Sequence, residues 1–127
     1  MTVIRTMKDT IIHTLLGFVA LTCVTPAHAA DGQIDKDLIR RVVRAHLSEV
    51  RECYDQGLAR DPGARGKIAI DFTIGEQGRV TRSSVAASDM KDEAVPACIS
   101  EAIEGWLFPK PDGGSVEVSY PFVLEPG

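Results

Sequence analysis

The sequence predicts an α+β fold: a two-layer sandwich whose three-stranded antiparallel sheet, in spatial order 2-1-3, carries two helices on one face. Three observations predict it. Apolar residues recur at helical spacing in two stretches and alternate at period two in others, and turn residues separate them, which gives the order α-β-β-α-β.

Asp35 is a plausible N-cap for a first helix over Lys36 to Ala59. Leu38, Val42, Leu47, Val50, Tyr54 and Leu58 recur at spacings of three to five, and Ile39, Val43, His46 and Cys53 widen that stripe. Arg40, Arg41, Arg44 and Arg51 make a basic side, read as a solvated face; the alternative is a surface that meets an acidic partner. Asp61-Pro62-Gly63 stops the helix, because proline cannot continue it and glycine turns the chain.

Over Lys67 to Ile74 the period changes to two. Ile68, Ile70, Phe72 and Ile74 alternate with Lys67, Ala69, Asp71 and Thr73, as in a strand with one buried and one wet face. Gly75-Glu76-Gln77-Gly78 reads as a two-residue hairpin turn, followed by a weaker second strand over Arg79 to Ala87. Asp92 is expected to cap a second helix, from Glu93 to Trp106, whose inner face carries Val95, Ile99, Ala102, Ile103 and Trp106. A turn-rich connection over Phe108 to Gly114 leads to the last strand, Ser115 to Leu124. Its apolar residues are Val116, Val118, Tyr120, Phe122 and Leu124, in alternation.

The hairpin makes strands one and two antiparallel, and the helical crossover returns the chain so that strand three is antiparallel to strand one. Strand one is therefore central. Pro121 fits an outer strand, since it has no N–H to give to a ladder on both sides.

Met1 to Ala29 reads as a secretory signal peptide. Arg5 and Lys8 form the basic start, Ile11 to Val24 is an apolar run of 14 residues, and Ala27-His28-Ala29 offers a cleavage site. As a helix that run spans about 21 Å, short of the ~30 Å hydrocarbon core, so cleavage is favoured over a membrane anchor. Cys23 follows Thr22, a poor fit to a lipid-attachment signal. Cleavage leaves a lead-in over residues 30–33 and a domain over 34–127. The 98 residues carry 12 Lys and Arg against 17 Asp and Glu, which offers nucleic acid no basic footprint and anionic membranes no attraction. Two cysteines remain, Cys53 and Cys98, in an oxidising compartment. Their spacing matches neither a redox pair nor a zinc site, and a disulfide is the expectation, with two separate buried thiols as the alternative.

Catalytic material is scarce. His46 on the helix stripe is expected at the core edge or in a cap, and Asp89, Asp92 and Glu93 suit a helix N-terminus without further purpose. Asp55, Asp61 and Asp112 lie near turns, where aspartate is expected. Trp106 and Phe108 are expected in the core rather than around a ligand. No nucleophile triad, phosphate loop or metal set is present in the sequence. No enzyme activity, cofactor, metal or small-molecule substrate is expected.

The chain resembles the TonB C-terminal domain, and more closely the C-terminal domain family named after the gliding-motility proteins AgmX and PglI. The resemblance is carried by Ile39 to Val43, Val50-Arg51-Glu52-Cys53-Tyr54, Gly66 to Ile74, Gly78-Arg79-Val80, Cys98, Trp106 to Pro111 and Val118 to Phe122, and it covers about Ile34 to Leu124. It implies a Gram-negative envelope protein that binds an extended peptide or envelope protein by adding a strand to an exposed sheet edge. It also implies that copies of such domains can exchange strands into a homodimer. The expected partner-binding residues are those of the last strand: Ser115, Val116, Glu117, Val118, Ser119, Tyr120 and Phe122. Pro121 and Glu117 in the same strand also suit simple protection of an edge against aggregation. On the binding reading, proline at position 118 blocks an added strand without unfolding the domain. TonB proteins carry a retained membrane helix and a long spacer. Here the expected signal meets the domain almost directly, so energy transduction is not inherited with the fold.

The leading expectation is a periplasmic interaction module. The rival within the same class is a membrane-tethered TonB-like transducer component with its N-terminal helix uncleaved. A third reading, a thiol oxidoreductase using Cys53 and Cys98, is disfavoured because both cysteines lie on helix stripes, away from the N-termini that stabilise thiolates.

Overall fold

The computed structural model describes residues 32–127; the expected signal peptide and Cys23 lie outside them. Asp35 accepts a hydrogen bond from the Asp37 N–H at 2.8 Å and so caps α1, Lys36–Ala45. After His46 the chain continues as α2, Leu47–Arg60. Then come β1 (Gly66–Ile74), β2 (Val80–Ser88), α3 (Ala94–Ile103) and β3 (Val116–Leu124). The sheet order is β2-β1-β3 with both pairings antiparallel, as the sequence predicts.

The first helix is two helices, not one. His46 leaves helical geometry at φ −112° and ψ 14°, and its N–H bonds the Val43 carbonyl, three residues back. Its imidazole stacks on Trp106 with ring centroids 4.7 Å apart. Glu49 bonds both rings, meeting His46 Nδ1 at 2.8 Å and accepting from Trp106 Nε1 at 2.9 Å. The tertiary contact fixes the break in a stripe whose apolar spacing runs straight through it.

The second predicted helix is shorter at both ends. It starts at Ala94, where Asp92 Oδ1 accepts the Ala94 N–H at 3.0 Å from two residues back. It ends at Ile103, after which the N–H groups of Glu104, Gly105 and Trp106 reach carbonyls three residues behind and tighten the chain into a turn. The hairpin is longer than two residues. Gly75 to Gly78 form a four-residue turn, with Gly78 at φ +91°, and Gly75 N–H donates to the Arg79 carbonyl.

The core lies between the helices and one sheet face. Ile68, Ile70, Phe72 and Ile74 of β1 are at most 2% exposed and meet Val95, Ile99 and Ile103 of α3, which are fully buried. Each such side chain contributes about 1.5–3 kcal/mol of burial. Trp106 and Phe108 join them in the core, as expected. The Cys53–Cys98 disulfide forms, clamping α2 to α3 across 45 residues with the Cα atoms 5.7 Å apart. Neither sulfur sits in the first turn of its helix.

Candidate functional site

The two outer strands offer different edges. Along β2, Ala69 pairs with Ala87 and Ile70 with Val85, and Thr73 pairs with Arg82 and Ile74 with Val80. Ala86 and Thr81 are therefore left over as bulges, which twist and interrupt an edge. By contrast β3 pairs with β1 without a break, from Gly66–Leu124 to Ile74–Val116.

Hydrogen bonds fix which backbone groups of β3 face outward. The Lys67 carbonyl accepts the Asp89 N–H while its N–H donates to the Asp89 carboxylate Oδ1, and at the other end the Gly75 N–H donates to the Arg79 carbonyl, so odd-numbered residues of β1 turn toward β2. Even-numbered residues of β1 then turn toward β3, where Phe72 pairs with Val118 and Ile70 with Tyr120. The outward set of β3 is consequently Glu117, Ser119, Pro121 and Val123. The Ser115 carbonyl agrees, since it turns outward to accept the Gly32 N–H at 2.8 Å. Pro121 thus spends its missing donor on the open side, where no ladder bond within the sheet is lost.

The lead-in closes one end of this edge. Gln33 and Asp112 exchange backbone bonds at 2.8 and 2.9 Å, and a Cβ on Gly32 would stand 2.0 Å from the Gly114 carbonyl oxygen. Glycine alone allows the lead-in to lie there. From Val116 onward the edge faces a groove of about 450 Å³. Consecutive β3 residues of both faces, Val116 to Pro121, line it, so it runs along the strand's edge and not over one face. Its far wall is Ile34, just ahead of α1, with Lys36, Ile39 and Arg40 of α1. A second groove of about 580 Å³ continues past Phe122 to Glu125, walled by Leu47, Val50, Arg51 and Tyr54 of α2.

The residues expected to bind a partner therefore divide into two kinds. Ser115, Glu117 and Ser119 turn their backbone outward. Val116, Val118, Tyr120 and Phe122 turn theirs to β1 and their side chains to the helix side, where Phe122 is buried and the other three are half-buried. This corrects the expectation for position 118. Its N–H points at β1, so proline there breaks the sheet itself, whereas the N–H of the next residue, Ser119, faces outward. The helix wall of the groove was not legible in advance, because nothing local places α1 beside β3. The one available signal was the basic side of the first helix.

Two carboxylates, Glu49 and Asp92, tie elements of the scaffold together. Hydrogen bonds from His46 and then Trp106 hold the Glu49 carboxyl below the usual range. The Arg60 guanidinium, 2.7 Å from Asp92, and the Ala94 N–H do the same for Asp92, tying the end of α2 to the start of α3. Among the described residues no group of His, Cys, Asp and Glu is placed to hold a metal ion, and no helix is long and apolar enough to cross a membrane.

No protein-family model and no curated protein matches the chain. Among solved structures it is similar to the solution structure of the Helicobacter pylori TonB C-terminal domain, residues 179–285. The identity is 24% and the TM-score 0.42, over 71% of this chain and 89% of that one.

Proposed function

We infer that this chain is a non-enzymatic interaction module of the Gram-negative cell envelope. It is exported by removal of Met1 to Ala29, and its domain over residues 34–127 is of the AgmX/PglI C-terminal type. It captures an extended segment of a partner protein as a fourth strand on the outer edge of β3. The observation that carries this reading is that edge: an unbroken strand whose outward backbone groups face a groove walled by α1 and α2. Main-chain bonds give such an added strand its affinity, and the groove wall sorts its alternate side chains. The Cys53–Cys98 disulfide fits an oxidising compartment.

The test is a pair of proline variants with a short alternating Val/Thr peptide as probe, followed by amide exchange. Binding should slow exchange at Glu117, Ser119 and Val123, whose N–H groups turn outward. Ser119→Pro should abolish binding and keep the wild-type circular dichroism spectrum, whereas Val118→Pro should lower stability. Undiminished binding by Ser119→Pro would remove β3 as the docking edge.

A further inference from the structure

The geometry points to a charge rule for the segment that docks on β3: alternate apolar positions, with acidic residues on the side that faces α1. This rests on the strand-addition reading above and adds the partner's chemistry to it.

The chain as a whole carries a formal net charge of −4, yet α1 carries Lys36, Arg40, Arg41 and Arg44 against the single acid Asp37. Lys36 and Arg40 stand four residues apart on one helical stripe, and both line the groove beside β3. Lys36 has no ion-pair partner among the described residues. Arg40 meets Asp37 at 2.8 Å, but the two side chains are 55% and 75% exposed, a pairing that water and salt weaken. Below these two cations the wall is apolar, formed by Ile34 and the buried Ile39.

An added strand sends alternate side chains to opposite faces of the sheet. Those turned toward the helices meet the apolar floor and then the two cations at the rim. Those turned to the open face pass Glu117, with Asp71 of β1 and Arg82 of β2 beyond it, a set with more acid than base that disfavours acid on that side. On the helix-side wall, cations without acids beside them in the groove are confined to the α1 half: beyond Phe122 that wall holds Arg51 together with Asp55 and Glu125. The preference therefore belongs to the stretch opposite Val116 to Pro121.

Three peptides test the rule against the full protein. They share the same valines, and their helix-facing rim positions carry Asp, Ser or Lys. With two partly screened charge pairs the Asp peptide should bind about fivefold or more tighter than the Ser peptide. The Lys peptide should bind weakest, and the differences should shrink as salt is raised. The double variant Lys36→Glu/Arg40→Glu should reverse the order. Equal affinities that Ser119→Pro still abolishes would overturn the charge rule and leave strand addition standing. No binding by any peptide would overturn both. Self-association that Ser119→Pro abolishes, with no peptide able to compete, would assign the edge to a second copy of the chain and overturn the rule as well.

Discussion

Glu49 joins elements that lie far apart in the chain. One oxygen meets His46 beside it and the other takes the indole N–H of Trp106, 57 residues away, while the two rings stack. These bonds favour the charged carboxylate, so its folded pKa is lowered, with the His46 bond the larger cause. A lowered pKa has a definite sign for stability. The contribution is present above the unfolded-state value, about 4.3, and is lost as pH falls through the lower folded one. Glu49→Gln keeps an acceptor for Trp106 but removes that titration. Urea midpoints of the wild type should therefore fall more steeply than those of the variant from about pH 5 downward. The difference should be modest, because the side chain is 43% exposed. Parallel curves would show that the carboxylate charge adds nothing to this junction.

The hairpin between β1 and β2 depends on a single close approach. Gly78 stands at φ +91°, its carbonyl accepts the Phe108 N–H at 2.9 Å, and an added Cβ would lie 2.1 Å from the Phe108 carbonyl oxygen. A backbone carbonyl blocks the Cβ there, so no rotamer relieves the clash. Gly78→Ala should cost about 1–3 kcal/mol, read as a lower denaturant midpoint at unchanged slope. Gly63→Ala is the control, since its Cβ would meet only Asp61 Oδ1 at 3.7 Å. β1 could be read from sequence because Ile68, Ile70, Phe72 and Ile74 are all buried and their neighbours are not. β2 was fainter because it is an edge: only Val80 and Ser83 are even half-buried, and two bulges break its alternation. The division at His46 was illegible, since its cause is Trp106, not a local helix breaker. For the candidate site, Pro121 already marked β3 as an outer strand. The parity that turns Ser119 outward, and the wall that α1 supplies, depend on sheet pairing and helix packing that no single segment encodes.

The disulfide spans the part of the molecule on which the edge of β3 depends. Cys53 lies in α2 and Cys98 in α3, so the 45-residue loop between them contains β1 and β2 complete. Holding that loop closed in the unfolded chain is worth about 4 kcal/mol on the chain-entropy model. That is a large share of the 5–15 kcal/mol typical of small folded proteins. Among the described residues β3 pairs in the sheet with β1 alone, so the proposed docking edge is only as well formed as the strand inside the closed loop. On the proposed reading, protein recovered from envelope fractions should show the mass of Ala30 to Gly127 less two hydrogens. Reduction should lower its stability by about 4 kcal/mol and weaken peptide binding only where the sheet begins to unfold. A full-length mass would replace the free periplasmic module with a tethered one. Unchanged stability after verified reduction would mean that packing of α2 on α3, not the covalent link, holds the two helices over the sheet.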